Sequence, residues 1–336
     1  MSQSFAIAVV GATGTVGETL VQLLEEREFP VSDLHLLAGR DSQGHSLPFR
    51  GKNLRVRAIE DFDFSQVRLV FFAAEASITL EYAPRARAAG CSLIDLSGAL
   101  PLEQAPRVVP EANADVLDTL STPYQLASPS AAATALAVVL APLRSLLTLR
   151  RVNVTACLAV SAQGHEGVTE LARQTTELLN MRPLEPRFFD RQIAFNLLAQ
   201  VGVPDDSGHA HSEIRLAAET RQVLGDSGLK VSATCIQAPV FFGDSLSVSL
   251  ELESVVDLVA VREALEGATG VELVDAGDYP TVVGDAVGQD AVYVGRLRSG
   301  LTDDAELNLW IASDNARKGS ALNAVQLGEL LIKHYL

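Results

Sequence analysis

Glycines near the amino terminus form the first pattern with a chemical meaning. Gly11, Gly14 and Gly17 follow an apolar run over residues 4–10, typical of a buried strand, and open a helical pattern over residues 15–27. The first glycine permits a tight turn, the second lets backbone N–H groups approach a pyrophosphate, and the third lets the helix pack on the strand. This loop predicts dinucleotide binding, and the alternative is an empty turn of the same type. The residues predicted to contact the nucleotide are Gly11, Thr13, Gly14, Thr15, Val16 and Gly17.

The end of the next predicted strand bears on which nucleotide binds. A cation there accommodates the 2′-phosphate of NADP, whereas a carboxylate favours the ribose hydroxyls of NAD. Arg40 and Ser42 favour NADP, while Asp41 between them leaves NAD open. The alternative is a solvated turn in which Arg40 and Asp41 only satisfy each other.

Nucleophile candidates are few. Cys91, Cys157 and Cys235 stand in apolar stretches, so they are predicted to be reduced, buried and inert thiols. Ser128 and Ser130 precede an apolar helix, where serine is a preferred N-cap, and capping is favoured over nucleophilic catalysis.

Histidines offer little more. His165 begins a predicted helix and is interpreted as a surface residue, with a ligand phosphate contact as the alternative. His209, His211 and Glu213 alternate in a polar loop, but a metal needs further fixed ligands, so no metal site is predicted.

The elements that must position these residues alternate through the first third of the chain. Predicted strands at residues 4–10, 35–38, 54–59, 69–74 and 91–95 alternate with predicted helices at 15–27 and 77–89. This order is the signature of βαβ units, so it predicts an α/β domain of doubly wound, Rossmann type.

After residue 130 the pattern changes. Predicted helices at 131–146, 165–179 and 214–224 are mixed with predicted strands at 151–162, 231–237, 246–253, 291–298 and 306–311. This mixed order of helices and strands predicts an α+β second domain. Residues 314–335 form an amphipathic helix pattern that could return to the first domain.

Composition excludes several functional classes. The chain has 336 residues, enough for two domains, and a formal net charge of -16. That charge repels phosphate backbones and anionic lipids, so neither nucleic acid nor a membrane is an expected partner. The few cysteines and the absence of an export or spanning pattern in the sequence predict a cytoplasmic protein.

Motifs from end to end of the chain resemble the aspartate-semialdehyde dehydrogenase family. They lie at residues 9–18, 109–113, 128–130, 159–164, 239–243, 294–296 and 314–323. The resemblance implies a dinucleotide-binding domain over residues 1–128 and 315–336, a dimerisation and catalytic-type domain over residues 129–314, and a homodimer. It also implies cofactor contacts from Ser161 and Asn315.

Family enzymes reductively dephosphorylate an acyl phosphate. A cysteine thiolate holds the acyl group, NADPH delivers hydride and a histidine handles the proton. Here Ala131 occupies the position of the thiol, and a methyl group is not a nucleophile. Gln237 occupies the position of the substrate arginine, and a neutral amide cannot grip a carboxylate as a guanidinium does. Asp244 occupies the position of the histidine, and it is predicted to be a surface-type carboxylate with an ordinary pKa near 4.

Further departures fall on substrate recognition. Pro101 stands where the family has a phosphate-binding arginine, and Leu158 where it has a substrate glutamine. Ser212 replaces a glutamate, while Arg215 keeps the charge of a lysine. Because these changes cluster on chemistry while the scaffold motifs match, the chain resembles the Usg-like paralogues that lack the catalytic cysteine.

The sequence supports one leading hypothesis. It is a protein of this fold that binds NADP and acts by binding or regulation without forming an acyl-thioenzyme. One alternative is a dehydrogenase that uses NAD(P) and a different carbonyl substrate without a covalent intermediate, with Asp244 or His165 handling the proton. Another is a subunit that forms mixed dimers with an authentic family member.

Overall fold

The computed structural model describes residues 4–42 and 44–334. In chain order its strands are β1 (Phe5–Val10), β2 (Val31–Ala38), β3 (Ser46–Phe49), β4 (Lys52–Ala58), β5 (Leu69–Phe72), β6 (Ser92–Asp95), β7 (Gln125–Ala127), β8 (Leu149–Leu158), β9 (Lys230–Gln237), β10 (Asp244–Leu252), β11 (Val271–Leu273), β12 (Val292–Ser299) and β13 (Glu306–Ser313). Its helices are α1 (Thr15–Glu26), α2 (Ala76–Ala88), α3 (Pro110–Asn113), α4 (Ala131–Leu140), α5 (Gly164–Leu179), α6 (His211–Val223), α7 (Leu258–Glu266) and α8 (Asn323–His334).

Two compact units divide the chain. The first comprises the residues up to Pro129 together with those from Ser320 onward, and the second is Ser130–Gly319.

In the first unit a sheet runs in the order β3-β4-β2-β1-β5-β6-β7. Neighbouring strands are parallel except for the β3–β4 pair. Ile7 of β1 packs in one apolar cluster with Leu20 of α1, and Ala8 packs in another with Ala83 of α2. Because alternate side chains of a strand point to opposite faces, helices cover both faces of the sheet. The predicted α/β, doubly wound class is confirmed.

Helix α8 belongs to this first unit. The structure begins it at Asn323, after a π-helical turn over Arg317–Leu322, and not at residue 314 as predicted. The Asp314 carboxylate accepts the N–H groups of Ala316 and Arg317 and so turns the chain before the helix. Tyr335, the predicted end of this helix, lies outside the described residues.

The second unit contains a mixed sheet in the order β11-β12-β13-β10-β8-β9. The β11–β12 and β8–β9 pairs are parallel and the pairs between them are antiparallel, which confirms the α+β prediction. Helix α4 ends at Leu140, short of the predicted residue 146, because Pro142 follows in a 3-10 turn and lacks a backbone N–H. Strand β8 stops at Leu158, before a short 3-10 turn over Val160–Gln163. Within the described part of the chain, no helix is both long and apolar enough to cross a membrane.

Candidate functional site

The glycine loop of the first unit has the steric demands that its sequence predicts. Gly11 has φ +80°, and a Cβ there would collide with the backbone of Ala73. A Cβ on Gly17 would collide with the carbonyl oxygen of Gly11, so α1 packs directly on the turn. These two glycines shape the loop. A Cβ on Gly14 would meet the Gly11 oxygen at an ordinary 3.5 Å, which leaves Gly14 free for another role.

Gly14 is the N-cap residue of α1 and puts no side chain on the first N–H groups of the helix. The Thr15 hydroxyl beside it is buried without a hydrogen-bond partner among the described residues. Thr13 Oγ1 donates to Ser42 Oγ at 3.3 Å, so the structure brings the loop and the end of β2 together. Uncapped amides and an unsatisfied hydroxyl at a helix N-terminus fit an anionic group such as a pyrophosphate.

Arg40 lies in the turn that follows β2 and is 67% exposed. Its Nε is 4.0 Å from Glu60 Oε1, and its terminal nitrogen is 3.7 Å from Asp61 Oδ1. The alternative to nucleotide binding was a solvated turn in which Arg40 pairs with Asp41. The structure pairs it instead with carboxylates that follow β4.

Ala131 is the first residue of α4 in the second unit, and Ser130 is its N-cap. A Cβ placed on Gly319 would come within 2.6 Å of the Ala131 methyl, so the Gly319 backbone lies against that methyl. Glu219, buried in α6, accepts the Ser130 N–H through Oε2 at 2.7 Å. Its other oxygen accepts the Arg215 Nε–H at 2.8 Å. A carboxylate therefore already accepts a hydrogen bond at the start of α4.

The predicted serine caps are wrong. Ser130 makes no side-chain cap bond, and its hydroxyl is buried without a hydrogen-bond partner in the described chain. Ser128 Oγ accepts a hydrogen bond from Asn323 Nδ2 at 2.9 Å, within the first unit. The Glu219 carboxylate accepts the N–H of Ser130 itself, which is a different donor from the first-turn N–H groups that an N-cap hydroxyl would accept.

Gln237 and Leu158 lie side by side at the ends of the parallel strands β9 and β8. Gln237 is buried, and its Nε2 donates to the Leu158 carbonyl oxygen at 2.8 Å. Its backbone exchanges hydrogen bonds with Leu198 at 2.8 and 3.1 Å. The amide therefore serves to tie strands together, and it carries no positive charge for a substrate carboxylate.

The prediction that Asp244 is a surface carboxylate with an ordinary pKa is wrong. Asp244 begins β10 and is only 2% exposed. Burial raises the pKa of its carboxyl to about 7, opposed by the hydrogen bond from the Ala159 N–H at 2.9 Å and assisted by the negative charge of Asp314. Its sequence neighbours Gly243 and Ser245 are buried and half-buried, but neither residue type indicates burial from the sequence alone.

Ser161 and Asn315 lie close together in the second unit. Asn315 Nδ2 donates to Ser161 Oγ at 3.0 Å, and Asn315 Oδ1 accepts the Gly243 N–H at 2.8 Å. The glycine loop, Arg40 and Ser42 belong to the first unit.

Pro101 stands in a loop after β6 that a buried cation holds in shape. Arg107 donates to the carbonyl oxygens of Gly98 and Leu100, and the Asp95 carboxylate accepts the Leu100 N–H. Neither Arg107 nor Asp95 was singled out from the sequence. The only signal was the presence of opposite charges at the two ends of this loop.

The thiols are chemically quiet, and the thiol prediction holds in this respect. Burial raises the pKa of the Cys91 and Cys235 thiols to about 11, and burial together with the Asp244 charge raises the pKa of Cys157. Cys157 is half-buried, less covered than predicted.

Two of the histidines considered as ligands, His165 and His209, lie on or beside helices α5 and α6. His165 lies in the first turn of α5, as predicted. The Nδ1 of His209 is 3.8 Å from Glu213, whose carboxylate also accepts the Ala210 and Cys235 N–H groups. Over residues 4–42 and 44–334 there is no cluster of three or more His, Cys, Asp and Glu side chains that could hold a metal.

Comparison with known proteins decides the family. Residues 6–120 match the family described as "Semialdehyde dehydrogenase, NAD binding domain", and residues 140–318 match "Semialdehyde dehydrogenase, dimerisation domain". An Aspartate-semialdehyde dehydrogenase 2 of Vibrio cholerae is 40% identical over 336 residues, covering 100% of both chains. This chain belongs to the aspartate-semialdehyde dehydrogenase family.

Relatives within the family are closer still. A USG-1 protein homolog of Azotobacter vinelandii is 63% identical over 333 residues, covering 99% of each chain. A solved structure of a probable aspartate-semialdehyde dehydrogenase from Pseudomonas aeruginosa superimposes with a TM-score of 0.98 at 59% identity, covering 99% of this chain and 100% of that one. The resemblance inferred from the motifs, including the likeness to Usg-like paralogues, is confirmed.

One residue of the second unit escaped sequence reasoning altogether. Glu219 is not among the residues that the sequence assigns to the site. Its spacing of four from Arg215 is the ordinary signal for a helical ion pair, and that signal was available. Its contact with Ser130, 89 residues away along the chain, was not.

Proposed function

We propose that this family member binds NADP, does not form an acyl-thioenzyme, and acts by binding or regulation. The observation that carries the proposal is Ala131 at the first position of α4. In family enzymes a thiolate at this position attacks the carbonyl of the acyl phosphate, displaces phosphate and forms the thioester that accepts hydride from NADPH. A methyl group offers no electron pair for that attack, so the acyl-thioenzyme cannot form at this residue.

The surroundings of Ala131 support the same conclusion. Activated thiolates require an electropositive helix start, which depresses the thiol pKa. Here the Glu219 carboxylate accepts the Ser130 N–H at 2.7 Å, and the positive charge of Arg215 is paired to that carboxylate. Gln237 gives its amide to the Leu158 carbonyl and offers no guanidinium to a substrate anion. Replacing the methyl alone would therefore leave the site without activation or substrate binding.

Asp244 is the group on which the non-covalent alternative depends. A pKa of about 7 would suit a proton donor, but a proton donor must also reach its substrate. The carboxyl is almost completely buried and accepts the Ala159 N–H, the contact that joins the end of β8 to the start of β10. Because the buried carboxyl does not reach a substrate, its favourable pKa does not make it a proton donor, and we assign Asp244 a structural role.

The glycine loop supports nucleotide binding. Gly14 and Thr15 would hold the pyrophosphate at the start of α1, and Arg40 with Ser42 would face the ribose substituent. When bound, the nucleotide supplies or accepts a hydride at its nicotinamide ring. Titration of NADPH and NADH with Gly14→Val as the control variant tests this. A Cβ at position 14 makes only an ordinary contact with the Gly11 oxygen, so the valine side chain should cover the amides and abolish binding while the chain still folds.

We also propose that the chain forms a homodimer through the residues that match the dimerisation domain. Sedimentation equilibrium of the purified protein should give twice the mass of one chain. Co-expression with an authentic family enzyme tests the mixed dimer, since co-purification of both chains would show it and two separate homodimers would exclude it.

The decisive assay of the proposed function is phosphate-dependent reduction of NADP with aspartate semialdehyde. An active family enzyme run in parallel verifies the substrate. We expect no turnover above background, whereas a turnover number of about 1 per second or more, ordinary for enzymes, would reject the proposal.

A further inference from the structure

The turn that carries Arg40 lies beside two carboxylates because of strand register. Strands β2 and β4 are parallel neighbours, and their last pair is Ala38 with Ala58. Arg40 and Glu60 therefore each lie two residues beyond that pair, at the same edge of the sheet. The guanidinium of Arg40 is 4.0 Å from Glu60 and 3.7 Å from Asp61.

Glu60 differs from an ordinary surface acid. Its Oε2 is buried without a hydrogen-bond partner in the described part of the chain, while Oε1 faces Arg40. A carboxylate with one oxygen withdrawn from water is less well hydrated and less screened, so its field on nearby groups is stronger. Asp61 is well exposed and adds its charge from the solvent side.

We propose that Glu60 and Asp61 determine the nucleotide preference of this protein by pairing with Arg40 and so opposing its contact with the 2′-phosphate of NADP. The inference rests on the proposed nucleotide binding and deepens it. A 2′-phosphate must draw Arg40 away from both carboxylates before the guanidinium can bind it. A nucleotide with a free 2′-hydroxyl makes no such demand, so the two carboxylates weaken NADPH binding and leave NADH binding unaffected. Glu60 and Asp61 are thus specificity-determining residues although they need not touch the nucleotide.

The experiment measures dissociation constants of NADPH and NADH for the full-length protein and a set of surface variants. In the Glu60→Gln/Asp61→Asn double variant, NADPH should bind about tenfold more tightly, the sum expected for two exposed ion pairs, and NADH within about twofold of the wild type. Adding Arg40→Ala to the double variant should abolish the gain. Asp41→Asn is the matched control, because it removes one negative charge from the same turn but is not among the ion-pair partners of Arg40.

Several outcomes would overturn the inference. They are an unchanged NADPH affinity in the double variant, an equal gain for NADH, a gain that persists without Arg40, and an equal gain in Asp41→Asn. If neither nucleotide binds to the wild type or to any variant, the proposed nucleotide binding fails and this inference falls with it. Binding of both nucleotides without a change in their ratio overturns the inference alone.

Discussion

Replacing Asp244 by asparagine should stabilise the second unit at alkaline pH. The buried carboxyl has a pKa of about 7 in the folded chain, against an ordinary value of 3.8. Asparagine keeps the oxygen that accepts the Ala159 N–H. Ser313 stands opposite on β13 with a buried hydroxyl that makes no hydrogen bond within residues 4–42 and 44–334, so the new amide has an acceptor nearby.

The size of the effect follows from the two pKa values. Because the folded pKa lies above the unfolded one, the contribution of the neutral acid to stability is complete below pH 3.8 and is lost as the pH rises to about 7. At about 1.36 kcal/mol for each pKa unit, keeping the charged group buried costs about 4 kcal/mol above pH 7. The asparagine variant escapes this cost, and its advantage should be about 3 kcal/mol larger at pH 8 than at pH 5.

Tryptophan fluorescence can follow this unit by itself. The chain has one tryptophan, Trp310, which lies on β13 next to the strand that Asp244 begins. Urea unfolding of the wild type, Asp244→Asn and the exposed control Asp206→Asn at pH 5 and pH 8 gives the required free energies of unfolding. A stability difference between Asp244→Asn and the wild type that is equal at the two pH values, or larger at pH 5, would refute the reasoning. The free energy of unfolding of Asp206→Asn should differ from that of the wild type by the same small amount at pH 5 and pH 8.

Three more predictions concern the loop, the helix start and the thiols. Gly17→Ala should unfold the first unit or destabilise it by more than about 2 kcal/mol, because its Cβ meets the Gly11 oxygen, while Gly14→Ala should fold normally by circular dichroism. Equal stability of the two variants would contradict the steric argument. Ala131→Cys should give no reduction of an acyl phosphate, and its thiol should titrate no lower than about pH 8, since Glu219 already occupies the helix start. Measurable turnover would show that the substrate positions are misassigned. Cys235, whose pKa is raised to about 11, should react with a disulfide reagent only on unfolding, so rapid labelling of the native protein would show that it is accessible.

Local signals predicted the first unit well. The apolar run of β1, the glycines after it and the periodicity of α1 all act within about 25 residues, and their bounds agree with the structure to within a residue or so. Short edge elements were missed. Strand β3 contains Pro48 and buries only Phe49 of its four residues, and β7 has three residues, so neither carries a clear pattern.

The site could be predicted only as far as residue identity decides chemistry. That Ala131 is no nucleophile follows from the sequence at once. The burial of Asp244 does not, because β13 and the turn after β8 cover it from distant parts of the chain. The same holds for Ser130, whose backbone N–H donates to Glu219 from 89 residues away along the chain. Long-range contacts of this kind override local preferences.

The central claim is that no residue of this protein carries an acyl group. The most direct test incubates the purified protein with aspartate semialdehyde and NADP in the absence of phosphate, so that any acyl-enzyme accumulates, and then maps every peptide by mass spectrometry. An authentic family enzyme should show an aspartyl adduct on its catalytic cysteine under the same conditions. This protein should show none, and an adduct on any of its side chains would contradict the account.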